Sequence, residues 1–297
     1  MINKIVLDNF QDFKTVAGKI YSGRVDVDLI PGKINKVDPR VPRFFNYLNN
    51  LLQLTSWGSP IIPRVNNIDG MVFKDREEFL TVEITFSGTY KYTLQLDSGY
   101  YTENSEGGIF LETLENMAGQ ELLRYSFLDE MWEKDKVPNI KHQPLVNFGE
   151  AAWEYQHVLE ELRNSFVYLD WSSEILEGTS LRTIRERLQG IYKLSEEYVY
   201  NIWSKIIPTL DVGVDRVDKD NILVRLGEDK VLPMSLDCQG SGAKILFRSL
   251  PVLMLDNKTI FISNKCSYFH ELHPILRRHL LEDILKTKTL VLQDINE

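Results

Sequence analysis

A few short stretches of this chain hold residue types that could do chemistry. The first is "GKINKVDP", residues 32–39. A phosphate loop reads G-x-x-x-x-G-K-[ST] because glycines let backbone N–H groups wrap the phosphates, the lysine reaches the β/γ oxygens and the hydroxyl holds Mg²⁺. Gly32 fits the first position, but Val37, Asp38 and Pro39 stand where Gly, Lys and Ser/Thr belong. Val37 lacks glycine's backbone freedom, Asp38 brings an anion where a cation is needed, and Pro39 removes an N–H donor. Gly32, Lys33, Asn35 and Lys36 are therefore the candidates for a degenerate phosphate loop. The other reading is an ordinary strand-to-helix connection with proline at the helix start.

The second stretch holds Cys266, His270 and His273, whose spacing could bring three zinc ligands to one turn. No fourth ligand of suitable spacing follows, and "HELHP" is not H-E-x-x-H, since its second histidine comes too early for both to face one metal. A Cys-His nucleophile pair has no marked oxyanion site beside it, so neither a metal nor a catalytic residue is assigned. Arg182, Arg185 and Arg187, interrupted by Glu186, read as a solvated helix face, with nucleic-acid contact as the alternative. Arg277, Arg278 and His279 read the same way.

The elements that must position these residues follow from periodicity. "MINKIVLDNF" reads as a strand buried on both faces, and "RVDVDLI" (24–30) as a half-exposed strand. Residues 40–56 repeat Val41, Phe44, Phe45, Leu48, Leu51 and Leu52 at helical spacing. "FLTVEITFSGTYKYTLQLDSG" is an antiparallel hairpin turning at Ser87-Gly88-Thr89. From about 114 to 210 the pattern becomes helical, with Trp153 and Trp203 as packing anchors. "VDRVDKDNILVRL" returns to strand, and the last 65 residues or so alternate helix and strand in the rhythm of a parallel sheet with crossover helices. The expected architecture is one composite α/β domain: N-terminal strands and hairpin over 1–113, a helical lobe over 114–212 and an α/β part over 213–297.

Composition sets the outer bounds. At 297 residues the chain can bury a substantial core, with 43% hydrophobic and 26% charged residues. A net charge of −9 argues against a basic surface spread over the whole protein. Two cysteines, Cys238 and Cys266, are too few for a disulfide scaffold and fit a reducing compartment. Polar residues interrupt the first apolar segment, and no apolar run approaches the ~20 residues of a membrane span, so the expected location is cytoplasmic.

The C-terminal run "SLDCQGSGAKILFRSLPVLML…TIFISNKCSYFHELHPILRRHLLEDILKTKTLVLQ" resembles ABC-like, AAA-annotated bacterial ATPases related to OLD and SMC heads, of the abortive-infection and anti-phage type. The signature loop is matched by Gly240, Ser241 and Gly242 in "QGSGAK", with a helix expected from about Ala243, and the family turn by Leu272, His273 and Pro274. "MINKIVLDNFQDF" is similar to the family's opening strand. The resemblance implies an ABC-ATPase-like P-loop fold with a mixed sheet, an antiparallel β subdomain and an inserted helical lobe.

The departures are as informative as the matches. Where the family carries a Walker B Asp-Glu for Mg²⁺ and the attacking water, this chain has Ser263, Asn264, Lys265, Cys266 and Ser267. The switch histidine is replaced by Gln293 and Asp294. The resemblance thus implies a pseudo-ATPase in which ATP and Mg²⁺ are disfavoured and no cofactor is assigned. Its signature loop would complete the site of an intact ATPase partner in trans, or its surviving face would hold an effector such as a toxin or nuclease, or a second copy. The alternative is a divergent ATPase using Lys33 or Lys36 for phosphate and Asp256 or Glu271 for the metal. A third possibility is a shared α/β layout with function grafted elsewhere.

Overall fold

In the computed structural model, residues 1–10, 13–16, 19–21, 24–45, 79–97, 108–128, 153–169, 180–210, 212–218, 221–226, 230–262 and 272–293 are described. They form a mixed α/β protein of two compact units, each with its own core. The first takes Met1–Pro31, Asn35–Tyr168 and the residues from Val291 on; the second takes Gly32–Ile34 and Leu169–Leu290.

The first unit is built on a six-stranded antiparallel sheet in the order β4 (Val25–Asp28), β1 (Ile2–Asp8), β6 (Leu80–Phe86), β7 (Tyr90–Asp97), β8 (Gly108–Asn116), β9 (Glu121–Ser126). Because side chains alternate across a strand, the register lines up one face. Val27, Ile5, Ile84, Tyr92, Leu114 and Leu123 form one row across it, and Val25, Leu7, Val82, Leu94, Glu112 and Tyr125 the next. Glu112 is the one charged residue in those rows, and it is fully buried. On the other face, Lys4 pairs with Asp26 and Lys91 with Glu115. A small hairpin of β2 (Phe13–Val16) and β3 (Lys19–Tyr21) follows β1.

Helix α2 (Gln156–Asn164) turns Val158, Leu159 and Leu162 inward, and its Glu161 accepts a hydrogen bond from the Ser87 hydroxyl in the β6–β7 turn. Strand β5 (Ile34–Val37) leads into helix α1, described over 40–45. Phe10, Phe44, Phe45 and Phe166, the last opening β10 (Phe166–Leu169), stack edge to face in a continuous chain with centroids 5.1–5.9 Å apart.

The second unit holds α3 (Leu181–Tyr192) and α4 (Glu196–Ile206), capped by Ser180 and Ser195. An antiparallel meander follows, of β11 (Val214–Val217), β12 (Ile222–Leu226) and β13 (Lys230–Met234). Helix α5 (Ser241–Leu253), β14 (Thr259–Ile262), α6 (Pro274–His279) and the start of β15 (Thr289–Gln293) complete it, with β14 and β15 neighbours in a sheet.

Helix α5 carries Pro251 inside it. Proline has no N–H, so the carbonyl four residues back, that of Phe247, loses its helical donor. The fully buried Trp203 of α4 supplies one: its indole Nε1–H donates to the Phe247 oxygen at 2.6 Å. The Tyr198 hydroxyl donates to the Pro251 carbonyl at 3.2 Å. Two aromatic residues five positions apart on α4 thus dock α5 at its proline.

Several expectations are corrected. The helical block does not begin at 114, since 108–126 are the paired strands β8 and β9. "AAWEYQHVLEELRNSFVYL" is a nine-residue helix followed by a strand. Trp153 is no packing anchor; it is 81% exposed. Arg185 is not on a solvated face: it is buried and paired with Glu196 at 3.4 Å, while Arg182 is exposed and paired with Glu186. The proposed helix beyond residue 45 lies outside the described residues.

Candidate functional site

Of the two readings of the phosphate-loop candidates, the structure shows the strand-to-helix connection, with Pro39 directly before the helix that begins at residue 40. "GKINKVDP" is not a loop; four of its residues are strand β5. Gly32 takes φ +65°, a left-handed turn that a residue with a Cβ adopts at a cost. Its N–H donates to the Thr289 hydroxyl at 2.8 Å, and the next carbonyl, of Lys33, accepts from Leu290 N–H at 3.1 Å. This fastens the turn to β15. Asn35 is buried and closes on Ile30, its oxygen accepting from Ile30 N–H at 2.8 Å and its amide donating to the Ile30 carbonyl at 3.2 Å. Lys33 and Lys36 are exposed. The Gly32 N–H and the Asn35 side chain are therefore spent within the chain, on the Thr289 hydroxyl and the Ile30 backbone.

The connection from β5 to α1 is two residues, Asp38 and Pro39. Asp38 caps the helix: its Oδ1 accepts from Arg40 N–H at 2.9 Å and its carbonyl from Val41 N–H at 3.0 Å. The Arg40 guanidinium grips the same carboxylate with two bonds, Nε to Oδ1 at 3.0 Å and Nη2 to Oδ2 at 2.8 Å. Arg40 is 3% exposed and its Nη1 reaches the Phe10 carbonyl at 3.5 Å. Such a bidentate, charge-assisted pair is among the stronger hydrogen-bonded contacts. A phosphate loop presents a run of unspent N–H groups and a lysine to an anion. Here the corner already contains an anion, held by the chain's own arginine. The residues present do not fit a bound triphosphate, and no step through one is derived.

At the expected signature loop, Gly240 is the extended residue preceding α5, and the helix begins at Ser241, two residues before the expected Ala243. Gly240 is exposed and a Cβ built on it would meet nothing within 4 Å. Gly242 lies in the first turn, where its N–H belongs to the set with no partner inside the helix. From Ile245 onward α5 is buried, so that only its first turn reaches solvent. In the family turn, Leu272 is a buried anchor, His273 is exposed and Pro274 opens α6.

Folds of this general kind are known. The chain is similar to SMC head domains. An SMC head bound to the C-terminal winged-helix domain of ScpA has 9% identity and a TM-score of 0.42, over 100% of this chain and 90% of that one. The SMC head from Thermotoga maritima gives 13% and 0.38, over 98% and 88%. An SMC head with an extended coiled coil, bound to the C-terminal domain of ScpA derived from Pyrococcus furiosus, gives 12% and 0.37, over 99% and 89%. No protein-family model matches the chain, and no curated relative was found.

The remaining candidates are dispersed. Asp256 is tied to the buried Lys288, whose Nζ donates to its carboxylate at 2.5 Å and to the Met254 carbonyl at 2.8 Å. Arg278 pairs with Glu282 and His279 with Asp283. Residues 263–271, with Cys266, Ser267, His270 and Glu271, and Asp294 lie outside the described residues. Among the described residues no cluster of three or more His, Cys, Asp or Glu could hold a metal, and no helix is long and apolar enough to cross a membrane.

Two features escaped sequence reasoning. Arg40 looks like an ordinary polar residue at a helix start, and only its spacing from Asp38 hinted at the pair. A groove of about 510 Å³ is lined by Arg185, Glu196, Glu197 and Tyr200. Its only advance signal was the Glu196-Glu197 pair in the first turn of α4.

Proposed function

We propose that this chain is an ABC-ATPase-like protein with degenerate nucleotide motifs, acting as an interaction or regulatory subunit and not as an ATP hydrolase. The observation that carries this reading is the β5–α1 corner, where Asp38 and buried Arg40 occupy each other. The absence of a carboxylate pair after "TIFIS" in the sequence supports it. Phosphoryl transfer depends almost wholly on positioning and on cations that neutralise developing charge, and both the lysine and the acids for metal are missing from their places. Calorimetric titration with Mg-ATP up to about 1 mM, where a binding free energy of about −4 kcal/mol would still register, is expected to give no saturable heat. Saturable binding together with phosphate release lost in Lys36→Ala would return the chain to the divergent-ATPase reading.

The positive part of the proposal concerns Gly240, Ser241 and Gly242, the exposed N-cap glycine of α5 and the first two residues of the helix. In this reading the turn faces the γ-phosphate of nucleotide held by an intact ATPase partner, in the setting of bacterial anti-phage defence. A helix N-terminus offers N–H groups and a favourable dipole to such a group. In a complex with the ATPase it accompanies, Ser241→Arg is expected to lower the partner's turnover by about 10²-fold, the usual cost of losing one preorganised donor. Unchanged turnover and unchanged partner affinity would sink this assignment.

A further inference from the structure

The geometry points to the Asp38–Arg40 pair as an internal latch that replaces nucleotide in holding the β5–α1 corner closed. This rests on the reading that the chain binds no nucleotide, and it assigns what does the holding instead. Arg40 is 3% exposed, so the corner cannot be left as a bare buried cation. Asp38 answers with both oxygens, and Oδ1 also receives the Arg40 N–H, so a single carboxylate caps α1 and neutralises the guanidinium. Nη1 reaches the Phe10 carbonyl just past β1, while the Phe10 ring packs on Phe44 of α1 with centroids 5.7 Å apart. Phe10, just past β1, thus meets the β5–α1 connection, 30 residues further along the chain, at one ion pair. Their arrangement then does not depend on a ligand, and a surface built on them stays constitutively presented.

Thermal unfolding of the full chain, with and without millimolar Mg-ATP, tests this. Asp38→Asn takes the bidentate carboxylate away from a buried guanidinium and is expected to lower Tm by about 6–12 °C. Arg40→Lys keeps the charge but not the fork, and is expected to lower Tm as well. The neutral double variant Asp38→Asn/Arg40→Met is expected to melt above Asp38→Asn alone. Mg-ATP is expected to move none of these values. Single variants within about 1 °C of the parent, or a double variant that melts no higher than Asp38→Asn alone, would overturn the latch. If Asp38→Asn does not accumulate as folded protein, a folded double variant supports the latch and an unfolded one overturns it. Should Mg-ATP raise the parent Tm, the nucleotide-free reading fails and the substitution idea with it. Should Mg-ATP be silent and Asp38→Asn be silent too, the latch alone fails.

Discussion

Replacing Trp203 by alanine is expected to cost about 3–5 kcal/mol of unfolding free energy, and the reason lies partly in another residue. The indole is fully buried, packs edge-on against Phe247 at 5.5 Å and donates to the Phe247 carbonyl. That carbonyl has no helical donor because Pro251 stands where the donor should be. Trp203→Phe keeps most of the packing and removes the N–H, so it isolates the stranded acceptor, worth about 1–3 kcal/mol. Pro251→Ala should then return an N–H to the helix and recover part of the loss caused by Trp203→Phe. Urea unfolding of the four proteins in this cycle measures the coupling. Equal costs of Trp203→Phe with proline and with alanine at 251 would show that the indole bond does not answer the proline. The consequence reaches Gly240–Gly242, because these residues sit at the start of the same helix.

The second large effect belongs to Glu112. It lies in an otherwise apolar part of the sheet face, fully buried, and accepts a 2.5 Å hydrogen bond from the equally buried Tyr92 hydroxyl. Burial holds the Tyr92 hydroxyl well above its usual range near 10, and the Glu112 charge adds to this. Arg163 of α2 is pulled below its usual value, chiefly by its own desolvation, and feels Glu160 and Glu112 as counter-charges. Glu112→Ala would leave a buried hydroxyl without its acceptor and the arginine with less compensating charge, for an expected loss of about 3–5 kcal/mol. Glu112→Gln keeps an acceptor and should cost less, and Glu112→Ala with Tyr92→Phe should recover part of the loss. Equal stability of the alanine and parent proteins in urea would contradict this account.

The sign with pH follows from the same pair. A tyrosine whose folded pKa is raised contributes stability that is fully present below about 10 and is lost as pH climbs through the folded value. Tyr198, pushed up to about 12 by burial and by Asp256, acts in the same direction. Alkaline unfolding should therefore be shallower in Tyr92→Phe than in the parent.

How much of this was legible before folding depended on whether local pattern and tertiary role agreed. The β6–β7 hairpin was readable because Val82, Ile84 and Phe86 alternate into a Ser-Gly-Thr turn and both strands bury what they promise. Strands β8 and β9 were not, since "LETLEN" is rich in good helix formers and its glutamate reads as a solvent residue until Tyr92 claims it. Strand β5 hid for a related reason: Asn35 points inward and satisfies itself on Ile30, so "INKV" shows no apolar alternation. For the site, residue types alone showed where "GKINKVDP" departs from a phosphate-loop pattern. They could not show that Asp38 and Arg40 pair, because an ion pair at i and i+2 around a proline depends on the turn. Pro251 was the one advance warning of an orphaned carbonyl on α5, and nothing local named Trp203 as its donor.

The order of the chain through its two units has a consequence for synthesis. The six-stranded sheet needs only residues up to Ser126 and can form while the rest is still being made. The unit to which that sheet belongs also takes in the residues from Val291 on, and so cannot be completed until all of Leu169–Leu290 has left the ribosome. At typical elongation rates that interval is about 6–24 s, long compared with the folding of most small domains. The nascent protein thus passes through a stage in which its first sheet stands without the residues from Val291 on that belong to the same unit.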